Sequence, residues 1–240
     1  MRIAVLQPSF IPWLGYFDQM ARADLFVYLD DVQFTRRDWR NRNKIRTANG
    51  WMWLTVPVCN KGRFKQSLKD TRIDNTLPWK KKHLNALRHN YGQAPYFDLH
   101  FPGFESIYQK EWNFLIDLCF ESLEWFRARL RLDTPTCRAS ELPVAGQKGS
   151  RILELCRCLG ADRYLTGDLA RDYLEPERLA REGIQVEFQR YQHPKYRQQG
   201  PGFIAYLSIL DLLFNEGPRS LDILTMPETA LEETLPGVSA

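Results

Sequence analysis

The chain is poor in the residues that build metal and disulfide frameworks. Its 240 residues hold five cysteines and four histidines, with no CxxC and no HxxxH spacing among them. Cys156 and Cys158 form a C-x-C inside a segment that reads as helix, where residues two apart point in different directions, so no metal site is expected. An odd cysteine count without paired spacing argues against a disulfide scaffold and for reduced thiols in a cytoplasmic setting. Long apolar runs are missing as well. The opening Met1-Arg2-Ile3-Ala4-Val5-Leu6 is interrupted by Gln7-Pro8 with no small-residue cleavage site behind it, so a signal peptide is not expected. Phe203 to Phe214 contains Ser208 and Asp211 and is too short to span a bilayer. Repeats and low-complexity stretches are absent. A strong excess of one charge is lacking too: the net +4 suits a phosphorylated small-molecule partner and falls short of demanding nucleic acid.

What is present is an ordinary globular composition, 44% hydrophobic and 26% charged, with seven Trp, more large rings than a minimal core requires. Ile3 to Leu6 reads as a buried strand, Gly15 to Ala23 as a helix and Leu25 to Leu29 as a second strand, an opening that implies a parallel sheet. Lys44 to Val58 reads as a hairpin around Asn49-Gly50, the strongest short turn signal. Pro78 to Tyr91 reads as a basic amphipathic helix ended by Gly92, and Glu105 to Arg131 as one long helix. Strands are expected at Thr136 to Leu142, Arg163 to Leu165 and Gln185 to Tyr191. Helices are expected at Ser150 to Leu159, Pro176 to Arg181 and Phe203 to Asn215. The pattern predicts an α/β fold: a Rossmann-like, mostly parallel sheet with a β-hairpin and a helical insertion near residues 75–132. It forms one domain over 1–225, with two lobes as the alternative, and an acidic, loose tail over 226–240.

Several stretches carry polar groups where such a fold binds ligands. Gln7 through Tyr16 lies between the first strand's carboxyl end and a helix start, the place where open α/β sheets hold ligands and where free N–H groups favour anions. Gln7, Trp13 and Tyr16 are its candidate contacts. Asp30-Asp31 ends the second strand, but neighbouring residues face opposite ways and Asp is a common turn former, so a metal reading is weak. The run Arg36 to Arg46 holds six basic residues. It suits Arg-fork binding of a phosphate through Arg36, Asn43 and Lys44 better than a nucleic-acid surface, because Asp and Glu are plentiful elsewhere. Trp79 and His83 share a helix face, with His83 a candidate general acid or base. Lys148-Gly149-Ser150 opens a helix, where Ser150 can cap it or join Lys148 in an anion site. Gly167 and Tyr173 follow a strand end. Ser208, Asp211 and Asn215 at i, i+3 and i+7 form a polar stripe on an apolar helix, and buried polar groups need partners. His193, just upstream, is a further base candidate.

In these residues the chain resembles the WbqC-like family. The resemblance rests on Gln7-Pro8 with Pro12-Trp13 and Gly15-Tyr16-Phe17, on Asn43-Lys44-Ile45 with Trp53-Leu54-Thr55-Val56-Pro57-Val58, and on Trp79 with Lys82-His83. It continues through Tyr91, Ala94-Pro95-Tyr96-Phe97, Tyr164-Leu165-Thr166-Gly167, Tyr173-Leu174, and Pro194 with Tyr196 and Gln198. It ends on Ser208-Ile209, Asp211-Leu212-Leu213-Phe214-Asn215 and Gly217. These motifs occur in order over residues 1–220, with Thr166 where a serine is as often expected. The resemblance implies a bacterial protein of surface-polysaccharide (O-antigen) metabolism. It implies a transferase of acyl or aminoacyl groups, glycyl among them, onto an amine of a nucleotide-linked sugar, and supplies no catalytic residues. On that reading Asp211 or His83 is the base, with Ser208 or Asn215 orienting the substrate and Arg36, Lys44 and Lys148 holding phosphates. No cofactor is indicated. The alternatives are a nucleotidyl transferase or ATP-dependent ligase with a degenerate HxGH-type site, since Pro12-Trp13-Leu14-Gly15-Tyr16 stands where that signature would lie, and a non-catalytic adaptor.

Overall fold

A computed structural model describes residues 1–63 and 65–226; of the expected acidic tail, all but Met226 lies outside the described residues. In chain order the regular elements are β1 (Arg2–Leu6), α1 (Leu14–Arg22), β2 (Leu25–Tyr28), β3 (Arg42–Thr47), β4 (Gly50–Thr55), α2 (Trp79–Tyr91), α3 (Phe97–Gln109) and α4 (Leu115–Leu130). They continue with β5 (Thr136–Arg138), α5 (Lys148–Leu159), β6 (Arg163–Thr166), α6 (Pro176–Arg181), β7 (Gln185–Phe188), α7 (Ile209–Glu216) and α8 (Ser220–Leu224). Five strands form a sheet in the order β5-β2-β1-β6-β7, every pair parallel. β3 and β4 make a separate antiparallel hairpin.

Strand alternation explains the layering. Ile3, Val5, Val27 and Tyr164 join one apolar cluster with Ile152, Leu155 and Leu179 of α5 and α6. Their neighbours Ala4, Phe26, Tyr28 and Leu165 join the other, with α1, α7 and the helices inserted between β4 and β5. Successive side chains leave opposite faces of a strand, so a short apolar run with no polar interruption must be covered on both sides.

Three sequence expectations are corrected by the hydrogen bonds observed. Glu105 to Arg131 is not one helix: α3 and α4 are separated at 110–114. There Asn113 accepts from the Ile73 amide (2.9 Å), Leu115 donates to Thr71 (2.8 Å) and Phe114 bridges Arg72, an extended pairing that uses the backbone groups a helix needs. The helix expected from Phe203 begins only at Ile209. Upstream of it the Gln198 amide clasps both backbone groups of Ile204, at 2.8 and 2.9 Å, and Ser208 donates its N–H to Lys44 (2.9 Å). α5 starts at Lys148, capped by Gln147 rather than Ser150; the Ser150 hydroxyl instead accepts from the Gln147 N–H at 3.2 Å. The two outer strands are also shorter than expected, β7 stopping at Phe188 and β5 passing into a 3-10 turn at Ala139.

Candidate functional site

Going away from β1, one side of the sheet continues to β2 and β5 and the other to β6 and β7. The chain therefore reverses direction of growth between β1 and β6, and the carboxyl ends there flank the crevice in which open α/β sheets hold ligands. Two loops leave that edge and meet. The loop after β1 reaches Trp13; the segment after β7 runs from Gln189 to Ser208. Trp13 and Ser208 form an antiparallel bridge, and the Ile209 N–H donates to Pro12 (2.8 Å).

Local strain and close packing shape the first loop. Ile11, buried and β-branched, has φ +42°, a conformation that costs energy and persists only when neighbours impose it. Asn43, fully buried on β3, imposes it by donating Nδ2 to the Ile11 carbonyl (2.8 Å). The Trp13 indole lies over Gly15, where an added Cβ would come within 2.2 Å of the ring. The second loop is anchored by a pair that sequence reasoning missed. Gln189 donates Nε2 to the Gly15 carbonyl (3.0 Å) and to the buried Asp18 carboxylate (2.5 Å), and accepts from Gln19 at 2.7 Å. The available signal was Asp18-Gln19 on the otherwise apolar run Leu14 to Met20, since a buried carboxylate there requires donors.

Between the loops stands an aromatic enclosure around His193. Its ring contacts Tyr191, Tyr196, Phe203 and Tyr206 at 5.3–6.2 Å, and Trp13 closes on Tyr191 and Tyr206 at 5.4 and 5.6 Å. His193 Nδ1 lies 3.0 Å from the Pro194 carbonyl, an acceptor only, so Nδ1 carries the proton and Nε2 the lone pair. Nε2 is buried with no partner among the described residues. Burial lowers the pKa of this imidazole below its ordinary value, which keeps it neutral near pH 7. Tyr206, half exposed with φ +60°, is the outermost ring of the enclosure.

Beneath it lies the polar stripe of α7. Ser208, Asp211 and Asn215 are all buried. Asp211 accepts from the Tyr91 hydroxyl (2.8 Å) and the Tyr196 hydroxyl (2.9 Å); Tyr91 in turn accepts from the Arg46 N–H (2.8 Å). Burial pushes the Asp211 carboxyl up to about 6, against the lowering effect of those hydrogen bonds. Asn215 holds the Asp211 carbonyl (2.7 Å) and accepts from Gln199 (2.9 Å). The Ser208 hydroxyl has no partner among the described residues. With both carboxylate oxygens engaged inside the core, Asp211 meets the enclosure through Tyr196, whose ring stacks on His193.

The structure thus gathers Trp13, Asn43, Lys44, His193, Ser208, Asp211 and Asn215. Other expected residues sit apart. His83 is buried with Nε2 3.1 Å from the Thr55 carbonyl and Nδ1 3.2 Å from the Tyr108 hydroxyl, and burial lowers its pKa to about 4; both nitrogens are already in use. Gln7 receives the Arg40 guanidinium, whereas Arg36 reaches the Asn60 carbonyl. The Tyr16 hydroxyl is buried without a partner among the described residues, its ring packed on Phe17 and Phe26. Lys148 and Ser150 flank Gly149, which packs against the Tyr173 carbonyl, and Gly167 faces Gln19. Asp30 is held by Ser140 at 3.0 and 2.7 Å and Asp31 by Arg151 at 2.6 Å. A groove of about 850 Å³ shares Gln189, Tyr191 and Gln192 with the post-β7 segment and is lined by Arg22, Arg131 and Arg190. No helix among the described residues is long and apolar enough to cross a membrane.

A family model described as the WbqC-like protein family matches residues 7–223. The protein of Mycobacterium tuberculosis named "Uncharacterized protein Rv1507c" is 38% identical over 225 residues, covering 93% of this chain and 97% of that relative. No solved structure matches.

Proposed function

This chain belongs to the WbqC-like protein family, and we propose that it is a transferase moving an acyl or aminoacyl group onto the amine of a nucleotide-linked sugar. The observation that carries the reading is the His193 imidazole, with Nδ1 fixed by the Pro194 carbonyl and Nε2 without a partner among the described residues, inside rings at the sheet's carboxyl edge. A neutral imidazole of one fixed tautomer is the group that acyl transfer to an amine needs.

His193 Nε2 takes a proton from the attacking amine as the N–C bond forms. The bond between the acyl carbon and the donor's leaving atom then breaks, and His193 passes the proton on to the leaving atom. The Ser208 hydroxyl is a donor for the oxyanion of the tetrahedral intermediate. Asp211 is a positioning residue, orienting Tyr196 against His193. The groove beside Tyr191 has the volume of a small-molecule site, and Arg22, Arg131 and Arg190 supply cations for the phosphates.

The test incubates the protein with amino-sugar nucleotides and activated acyl donors and follows product mass. His193→Gln is expected to lower turnover about 10²- to 10⁴-fold, the usual worth of a general base, with an unchanged circular dichroism spectrum. Because the imidazole pKa lies below its ordinary value, the wild-type rate should hold to a pH below the usual histidine range before falling. Full activity in His193→Gln would sink the assignment.

A further inference from the structure

The modest net charge hides a strong segregation. Residues 36–65 carry nine Lys and Arg against one acid, Asp38, so thirty residues hold +8 in a chain whose total is +4. That acid pairs with Arg40 at 3.7 Å. The segment forms the hairpin, and strand alternation sorts it. Ile45 and Leu54, with Asn43, turn inward and are buried, whereas Arg42 and Lys44 share the other face with Trp51 and Trp53 across the register Lys44–Trp53. There the cations and rings interleave: Arg42 lies 4.3 Å from the Trp53 centroid, and Lys44 lies 4.3 Å from Trp51, 5.4 Å from Trp53 and 5.9 Å from Trp39. Trp51 is 45% and Trp39 37% exposed. The Arg36 bond to Asn60 brings the turn bearing exposed Lys61, Arg63 and Lys65 beside this ladder.

We infer that this outer hairpin face binds single-stranded nucleic acid. Its physical demands are met together: exposed rings on which bases stack regardless of sequence, and, between them, the cations Arg42 and Lys44, which have no salt bridge among the described residues. A cation–π ladder serving only the hairpin would not need half-exposed indoles or the basic turn beside them. The face also adjoins the candidate site, since Lys44 accepts the Ser208 N–H and Arg46 holds the Pro201 and Gly202 carbonyls. An RNA strand that lies on it with its 3′ end toward Ser208 would bring that end to the enclosure. On the transferase reading, from which this one step follows, that end carries the acyl group as a ribose ester. The amine–acyl bond forms, the ester C–O bond breaks, His193 takes the amine proton and the ribose oxygen is protonated.

Fluorescence anisotropy of an unacylated 12-nucleotide RNA on the full chain tests the surface independently of any chemistry. Binding is expected in 50 mM salt, weaker in 200 mM with a log–log slope near −0.7 for each phosphate contacted. Trp51→Ala should weaken it about 5- to 100-fold, and a duplex of the same sequence should bind less tightly. A DNA strand of that sequence is the second arm: equal affinity leaves the surface inference standing and removes the RNA donor step. No binding at low salt overturns the inference, as does binding that Trp51→Ala and Trp39→Ala leave unchanged or that heparin matches. Failure here leaves the His193 assay intact. If the strand binds but its acylated form donates nothing to an amino sugar, the donor step alone falls.

Discussion

Ser208 has its hydroxyl buried without a partner among the described residues, although a buried unpaired hydroxyl costs about 1–3 kcal/mol. Its backbone caps α7, but its side chain makes no capping bond. A group that costs stability and serves no fold contact is a candidate for substrate. Ser208→Ala is therefore expected to keep or slightly raise the melting temperature while lowering turnover about tenfold or more; a melting temperature several degrees lower at unchanged turnover would assign the hydroxyl to the fold. Residue types and spacing exposed this stripe in the sequence, because a carboxylate and two neutral polar groups on an apolar segment demand burial with partners. The identity of the partners was not legible. Tyr91 lies 120 residues from Asp211, and its hydroxyl together with that of Tyr196 engages both carboxylate oxygens, which makes Asp211 a positioning group and not a direct base.

At the scale of elements, local chemistry was most readable where it is self-sufficient. Asn49-Gly50 specifies the hairpin, and Gly160, in the left-handed conformation at φ +66°, ends α5 where the sequence placed the stop. α4 ends otherwise, on Arg131 at φ +56°, ψ +42°. A side chain pays about 1–2 kcal/mol for that conformation and glycine almost none, offset in part by glycine's larger entropy loss. Arg131→Gly should thus stabilise the chain by up to about 1 kcal/mol, read as a higher urea midpoint at unchanged slope; a lower midpoint would mean that the guanidinium contributes more than the strain removes. The break between α3 and α4 was hidden because Lys110 to Phe114 contains neither glycine nor proline. Residues 71–73 impose it from another part of the chain.

For the molecule as a whole, acid stability joins two buried groups of opposite sign. His83, with its pKa lowered to about 4, is neutral when folded and protonates near 6.5 when unfolded. It therefore favours folding above 6.5 and loses about 3 kcal/mol of that advantage as pH falls to 4. Asp211, raised to about 6, binds its proton more tightly when folded. Its contribution is full below about 3.8 and is lost, again about 3 kcal/mol, as pH rises through 6. Between pH 4 and 6 the two offset each other. Relative to wild type, His83→Gln should gain stability on acidification and Asp211→Asn should lose it, measured as urea midpoints at pH 4.5 and 6.5. Drift of both variants in the same direction would contradict these environments.

The amino-acid sequence alone determined the α/β class, the parallel strands buried on both faces, the hairpin and the polar stripe, because each follows from periodicity, turn chemistry or the cost of burying a polar group. Tertiary structure alone decided the strand order that puts the loops after β1 and β7 at one edge, and the ring enclosure in which one His193 nitrogen has no partner among the described residues. It also decided the removal of His83 from the chemistry. Those outcomes depend on hydrogen bonds and ring contacts between residues far apart in the chain, and no local pattern encodes which distant group will supply the partner.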